Sequence, residues 1–328
     1  MRGAVILAGG EGRRFRQAGG VGEKALFKVG GKSMIRRVID AVSGAVDEWV
    51  VTVDTEERAE KLKSEVDGRI VVDKGPRGPL TGVATGLKVL SPTACLVVPC
   101  DRPFLNLRVL NKLLSVVEEG WGAAVPLWPN GLHEPLMAAY LRGPALSLCD
   151  ALMAYGRTRP DDLIRAGLSV SFLSIPSELK PLDPELLSFV NINRPSDVEM
   201  RPRCELAAGF SVEVWQDIDA AEVAKAALEA LESLSASPLD EVNIPFWHGL
   251  CWRAIAERGE RDAWRRAAEW FGYERRLHAS RGLRLLEARA LMDASRCLSH
   301  VDLERSVKLR EEAISIYRRL GVEAKGGA

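Results

Sequence analysis

Over its first 200 residues the chain alternates short apolar runs with longer segments in which apolar residues recur at helical spacing. Short runs bounded by glycine or proline are typical of buried strands, and the periodic segments are typical of amphipathic helices. Strands are predicted at Ala4–Leu7, Trp49–Val53, Ile70–Val72, Ala94–Pro99, Ala123–Pro126, Pro135–Tyr140 and Ser169–Ile175. Helices are predicted between them at Met34–Val46, Glu56–Val66, Val83–Leu90, Asn106–Glu119, Arg142–Tyr155 and Pro160–Ala166, with a last one after Pro195. The alternation favours an α/β fold: a Rossmann-like, doubly wound, mostly parallel sheet with helices on both faces.

The alternation stops near Pro202, and from Ala220 onward the periodicity is helical only. Helices are predicted there at Ala220–Ser235, Trp247–Arg258, Arg261–Leu277, Leu283–Leu298 and Leu303–Leu320. We therefore predict two domains, residues 1–201 and residues 202–328, the second a small all-α bundle. Its sequence indicates no chemical role.

The first apolar run ends in a glycine-rich turn followed by basic residues. Glycines let the backbone turn tightly and bring several N–H groups to one anion, so a nucleotide triphosphate is the natural ligand. The dinucleotide pattern GxGxxG is excluded because its last glycine would fall at Phe15, and the Walker pattern is excluded because its first glycine would fall at Leu26. A plain turn with solvated arginines is the alternative. The candidate phosphate loop comprises Leu7, Ala8, Gly9, Gly10, Gly12, Arg13 and Arg14.

Three aspartates, Asp54, Asp73 and Asp101, follow predicted strands directly. In open α/β sheets, ligands bind beyond the carboxyl ends of the strands, so these side chains should face the phosphate loop. Asp101 is the best magnesium ligand among them, because Mg²⁺ takes one or two carboxylates together with phosphate oxygens. The alternative is an aspartate that caps the following helix.

Composition narrows the choice of partner. The chain has 45 basic and 45 acidic residues, so its formal net charge of +0 favours neither nucleic acid nor a membrane surface. No apolar run has the length of a membrane helix, and no signal peptide is apparent, so a cytoplasmic protein is expected. The six cysteines form no CxxC pair and predict neither a zinc site nor a disulfide framework.

The stretch from Leu7 to Phe15, LAGGEGRRF, followed by Lys24-Ala25-Leu26, resembles the signature of nucleotidyltransferases, and among them most closely the molybdenum cofactor guanylyltransferases. Three further segments match in family order: GPLTG at 78–82, PCDRP at 99–103 and NINRP at 191–195. The link at 16–22 is longer than usual in the family, and Asp54 stands where the family usually has asparagine. The resemblance covers about the first 200 residues and implies a nucleotidyltransferase fold.

The resemblance also implies roles for individual residues. Arg14, Lys24 and Asp101 would be catalytic: the two cations would hold the triphosphate and stabilise the leaving pyrophosphate, and Asp101 would bind Mg²⁺. The nucleotide would also contact Asp54, Asp73, Gly78, Pro79 and Leu80. The acceptor would be bound by His133, Arg157, Asn191 and Asn193. A solvated aspartate, turn-forming asparagines and an exposed loop histidine are the plain alternatives.

The implied reaction transfers GMP from GTP to the phosphate of molybdopterin cofactor and releases pyrophosphate. The alternatives are the same transfer from CTP, a cobinamide-phosphate guanylyltransferase, a sugar-phosphate nucleotidyltransferase, or a nucleotide-binding regulatory or scaffold protein. The helical domain would then serve as a docking surface for a second copy of the chain or for a molybdoenzyme that receives the cofactor.

Overall fold

The computed structural model describes residues 1–200, 202, 212–214 and 219–322. Its strands are β1 (Arg2–Leu7), β2 (Lys28–Val29), β3 (Lys32–Ser33), β4 (Glu48–Val53), β5 (Arg69–Val72), β6 (Ala94–Pro99), β7 (Ala123–Leu127), β8 (Ala138–Leu141), β9 (Val170–Ser174) and β10 (Val212–Val214). Its helices are α1 (Arg13–Gln17), α2 (Met34–Ser43), α3 (Glu56–Leu62), α4 (Pro79–Val89), α5 (Leu107–Glu118), α6 (Arg142–Ala154), α7 (Asp161–Arg165), α8 (Ala220–Ser233), α9 (Pro245–Glu257), α10 (Ala263–Ser280), α11 (Arg284–Leu298) and α12 (Leu303–Arg319).

Within the described residues, one sheet has the strand order β10-β9-β7-β8-β6-β1-β4-β5, and β2 and β3 form a small separate hairpin. The pairs β1–β4, β1–β6, β4–β5 and β7–β9 are parallel, whereas β8 and β10 run antiparallel to their neighbours. The predicted mostly parallel α/β sheet followed by helices is confirmed.

Side chains of the central strand alternate between two cores. Val5 of β1 belongs to a core that includes residues of α4 and α6, whereas Ala4 and Ile6 belong to a core that includes residues of α2, α3 and α5. A strand buried on both faces needs apolar residues at every position, which explains the uninterrupted apolar run in the sequence.

Three local predictions differ from the structure. Helix α4 begins at Pro79 instead of Val83, because proline fits the first helical position, where its missing N–H is not needed. The strand predicted from Pro135 begins only at Ala138, since a turn in which the Met137 N–H donates to the Glu134 carbonyl precedes it. The helix predicted after Pro195 is only a 3₁₀ turn. Strand β10, which lies beyond the predicted domain boundary, was not predicted.

The helical part shares a hydrophobic core with one face of the sheet. A single cluster of buried side chains runs from Val5 through Leu152 and Tyr155 to Trp247 and Phe271. The Trp247 indole donates to the Ala166 carbonyl at 2.7 Å, and the Tyr155 hydroxyl donates to the Ala227 carbonyl at 2.8 Å. The independence of residues 1–201 as a domain stays a prediction. None of the helices in the described ranges has the length and apolar character that a membrane span requires.

A buried network of charges also joins the two parts. Arg165 of α7, whose side chain is 0% exposed, donates to Glu274 of α10 at 2.6 Å and to Asp293 of α11 at 2.9 Å. Arg157 donates to Asp162 and to Asp293. Burial alone would raise the pKa of Asp293, but Arg157 and Arg165 outweigh it and hold that pKa far below its usual range. Each arginine of this pair is therefore neutralised by acids from both parts of the chain.

Removing one acid from this network should destabilise the whole fold. Glu274→Gln leaves the Arg165 guanidinium undercompensated, and breaking a buried pair in this way costs about 3–5 kcal/mol. Urea unfolding followed by tryptophan fluorescence measures the loss. Glu304→Gln is the control, because Glu304 pairs with Lys308 on the surface and its side chain is 81% exposed, so the change should stay below about 1 kcal/mol. Equal effects of the two variants would contradict the importance of the network.

Candidate active site

The candidate phosphate loop makes a tight turn at its glycines. After β1, the Ala8 N–H donates to the Thr52 carbonyl at 2.8 Å, and Gly10 and Gly12 take φ angles of +113° and +57°. Side chains other than glycine are strained at such angles. The turn then enters the short helix α1, where buried Phe15 packs edge-on against Phe27 at 5.2 Å.

The basic residues of this loop lie at the surface. The side chain of Arg13 is 76% exposed, and the Glu11 carboxylate bridges it to Arg77. Arg77, at 86% exposed, comes from the segment before α4. Glu11 thus brings together Arg13 and Arg77, which come from different segments of the chain.

The long link after α1 folds back over the aromatic residue of that helix. The Gly20 N–H donates to the Phe15 carbonyl at 2.9 Å, and a Cβ atom at Gly20 would lie 2.3 Å from the Phe15 ring. Only glycine leaves room for the ring. The extra residues of the link at 16–22 therefore form a turn over Phe15, and Lys24 follows shortly after this turn.

Lys24 joins two segments that are far apart in sequence. Its ammonium donates to Asp101 Oδ2 at 2.7 Å and to Asn193 Oδ1 at 3.0 Å. The Asp101 carbonyl accepts the Ile192 N–H at 2.9 Å, so the asparagine segment lies directly against the aspartate. The side chains of Lys24 and Asp101 are only 15% and 22% exposed. We name Lys24, Asp101 and Asn193 the edge cluster.

Asp101 has the coordination capacity that a divalent cation needs. Its Oδ1 atom is buried and has no hydrogen-bond partner among the described residues, although Oδ2 is bonded to Lys24. No group of three or more potential metal ligands occurs among the described residues. Mg²⁺ does not require such a group, since it typically binds one or two carboxylates and completes its shell with phosphate oxygens and water. The residues present therefore fit a magnesium ion that is shared with a phosphate ligand.

Asp54 is held by neighbours that the sequence analysis did not single out. The Arg58 guanidinium bonds to Asp54 and donates to Glu23 Oε1 at 2.8 Å, and the Gly10 N–H donates to Asp54 Oδ2 at 3.3 Å. Arg58 lies four residues after Asp54, and this spacing was the available signal, since residues i and i+4 meet at the start of a helix. Arg58 thereby links Asp54 to the residue before Lys24.

Asp73 directly follows β5 and lies close to α4. Its N–H donates to the Val53 carbonyl at 2.8 Å, and its buried Oδ1 has no partner. Burial raises the pKa of Asp73, and a hydrogen bond from Thr85 opposes this shift. Gly82 of α4 approaches closely: a Cβ there would lie 3.0 Å from Leu7 and 3.5 Å from Asp73. The aspartate thus lies between the end of β4 and Gly82 of α4.

The profile of the MobA-like NTP transferase domain matches residues 4–169, which is half of the chain. The chain belongs to the MobA-like NTP transferase family. It is therefore a nucleotidyltransferase, and the edge cluster is its candidate active site.

Named relatives agree with this assignment. A probable molybdenum cofactor guanylyltransferase of Methanosarcina acetivorans is 32% identical over 60% of this chain and 88% of the relative. The molybdenum cofactor guanylyltransferase of Desulfosudis oleivorans is 33% identical over 60% of this chain and 91% of its own length. The crystal structure of molybdopterin-guanine dinucleotide biosynthesis protein A from Archaeoglobus fulgidus is 30% identical, with a TM-score of 0.51, over 61% of this chain and 95% of that one. The described helices from α8 onward lie outside the matched domain.

Two predicted acceptor residues of this MobA-like transferase are not at the edge cluster. Arg157 is buried, and its guanidinium bonds to Asp162 and Asp293. His133 is 2% exposed instead of lying on an open loop. Their contacts give no support to acceptor binding, because both face the helical part. Asn193 belongs to the edge cluster, and exposed Asn191 lies two residues before it.

His133 is a buried neutral imidazole in this transferase. Neither ring nitrogen has a hydrogen-bond partner in the part of the chain that the structure describes, and the ring meets Phe172 edge-on at 6.0 Å. Burial lowers its pKa from 6.5 to about 4. The charged groups that act on it are Asp161, Arg289, Glu134 and His278.

Acidification should therefore weaken the fold between pH 6.5 and pH 4. In this window the unfolded chain binds a proton at residue 133 and the folded chain does not, so stability is full above pH 6.5 and falls by up to about 3 kcal/mol towards pH 4. His133→Leu should remove this part of the pH dependence, as measured by urea unfolding at several pH values. Comparison at pH 7.5, where His133 is neutral in both states, isolates the packing effect. An unchanged slope in the variant would contradict the prediction.

Proposed function

We propose that this transferase moves GMP from GTP to the phosphate of molybdopterin cofactor and releases pyrophosphate, with Mg²⁺ bound at Asp101. The observation that carries the proposal is the edge cluster. It brings a cation, a carboxylate and an amide from three distant segments to one edge of the sheet, next to the phosphate loop. The relatives, named as molybdenum cofactor guanylyltransferases, support the choice of nucleotide and acceptor.

The residues suit a reaction that needs no general base. The attacking group is a phosphate, whose second pKa is about 6, so it is already largely ionised at neutral pH. Phosphoryl-type transfer then depends on alignment and on neutralisation of charge. Mg²⁺ on Asp101 would supply charge neutralisation at the phosphate oxygens.

Nucleotide and acceptor would meet across the edge cluster. The N–H groups of the turn at Gly9 to Gly12, together with Arg14, would bind the triphosphate from the side of β1. Lys24 would neutralise charge that develops on the leaving pyrophosphate. Its bonds to Asp101 and Asn193 fix the position of its ammonium group. Asn191 and Asn193 would position the acceptor from the opposite side. Asp54, held by Arg58 and Gly10, would accept hydrogen bonds from the base.

The decisive experiment measures pyrophosphate release with magnesium and molybdopterin cofactor, with GTP, CTP, ATP and UTP compared in parallel. The proposal expects release with GTP that depends on the acceptor. Preference for CTP would assign the cytidylyl transfer instead. Release with cobinamide phosphate or a sugar phosphate, and none with molybdopterin, would assign one of the other acceptors.

Asp101→Asn should lower the transfer rate by about 100-fold or more, the size of effect seen when a main electrostatic contact to reacting groups is lost. The steady-state rate of pyrophosphate release measures it. Asp67→Asn is the matched control, because Asp67 is an exposed carboxylate that pairs with Arg36 at the surface, and it should keep the wild-type rate. A normal rate in Asp101→Asn at saturating magnesium would refute the metal role.

Lys24→Ala should weaken GTP binding at least about tenfold more than GMP binding, because the lost charge acts on the outer phosphates. Calorimetric titration of both nucleotides measures the difference. Lys28→Ala, at an exposed lysine of β2 four residues later, serves as the control. Equal losses for GTP and GMP would show that Lys24 does not serve the β- and γ-phosphates.

A further inference from the structure

A small pocket lies where the segment before α7 meets the last two helices. Arg157, Arg159, Arg289, Arg296, Asp293 and Tyr317 line it, and it has about 310 Å³ of free space with its open mouth included. None of these residues belongs to the edge cluster. Four guanidinium groups around one pocket with a single carboxylate would repel one another unless other charges compensate them.

Two of these arginines are compensated within the protein. Arg157 donates to Asp162 and to Asp293 at 2.8–3.0 Å. Arg289 donates to Asp161 at 2.7 Å and to the Tyr317 hydroxyl at 3.0 Å. These bonds explain why both side chains remain charged although they are largely buried.

The other two arginines lack such compensation. Arg159 makes no side-chain hydrogen bond or ion pair with the residues that the structure describes. Burial and the neighbouring Arg289 lower the pKa of Arg159, and the opposing effects of Asp161, Tyr317 and Asp162 do not outweigh them. Arg296 reaches only Asp293, at 3.4 Å, and that carboxylate already accepts from Arg157 and Arg165.

We propose that this pocket binds a tetrahedral oxyanion, a phosphate group, between Arg159 and Arg296. Planar guanidinium groups bind phosphate through paired N–H donors, and an anion would supply the missing counter-charge. Arg157 and Arg289, held by their acids, form the fixed wall of the site. The site is separate from the proposed nucleotide site and does not depend on it.

The pocket is connected to the nucleotide segment through one residue. Thr158 lies between the pocket residues Arg157 and Arg159 in sequence. Its carbonyl accepts the Leu80 N–H at 3.2 Å. A Cβ atom at Gly78 would lie 2.6 Å from Thr158. Thr158 thus packs against the segment from Gly78 to Leu80, directly before the pocket residue Arg159.

The test compares thermal unfolding with and without inorganic phosphate, at ionic strength kept constant with chloride. Arg159→Gln is the main variant, Arg296→Gln is a second variant of the pocket lining, and Arg310→Gln at an exposed position of α12 is the charge-matched control. Without phosphate, Arg159→Gln should be at least as stable as wild type, because it removes an uncompensated charge. With phosphate, the wild type and the control should gain stability by mass action, and both pocket variants should bind phosphate at least about tenfold more weakly.

Tungstate-soaked crystals locate the site directly, since tungstate is a tetrahedral oxyanion with strong anomalous scattering. A peak between Arg159 and Arg296 that disappears in Arg159→Gln is expected. Titration with glycerol 3-phosphate distinguishes the source of the phosphate group: binding as tight as that of inorganic phosphate indicates a small organic phosphate, and weaker binding indicates the free ion. An empty pocket in soaked crystals, equal phosphate effects in all variants, or a loss of stability in phosphate-free Arg159→Gln would overturn the proposal.

Discussion

The buried guanidinium of Arg165 imposes the strongest constraint on this fold. A charge removed from water is tolerated only if it is paired and hydrogen-bonded, and this one takes its acids from α10 and α11 as well as from its own helix. The α/β part therefore buries a cation that it does not neutralise alone. Together with the continuous apolar core, this ties the helical part to the sheet and makes it a structural component of the transferase.

The helical part packs on elements other than those that carry the candidate active site. The edge cluster, the glycine turn and the segment before α4 all lie at the carboxyl ends of parallel strands, where loops of different strands converge. The helical part instead packs on α6, on α7 and on the loop before β8, where the Leu285 N–H donates to the Gly131 carbonyl at 3.4 Å. The residues of the edge cluster and those of the buried charge network are thus different, and Thr158, which follows Arg157 in sequence, packs against Gly78.

Features that depend mainly on neighbouring residues could be predicted from the sequence. The apolar runs became strands because a doubly covered sheet demands them, and the glycines of the turn take backbone angles that other residues avoid. Asp101 could be placed because it directly follows such a strand. Arg157 and His133 could not be placed, because an arginine or histidine in a loop carries no sign of which surface will cover it. Arg157 pairs with Asp293, and the charged groups around His133 include Arg289 and His278, all from helices more than 100 residues away whose packing the local pattern does not encode.

The sequence by itself determined most of the elements, their order, the mostly parallel sheet and the family signature, because hydrophobic period and turn chemistry act over neighbouring residues. Only the tertiary structure decided that Lys24, Asp101 and Asn193 meet, that the long link folds over Phe15, and that the helices share the core of the sheet. These outcomes depend on contacts between distant segments, where burial and charge compensation select one arrangement among many that the same local pattern permits.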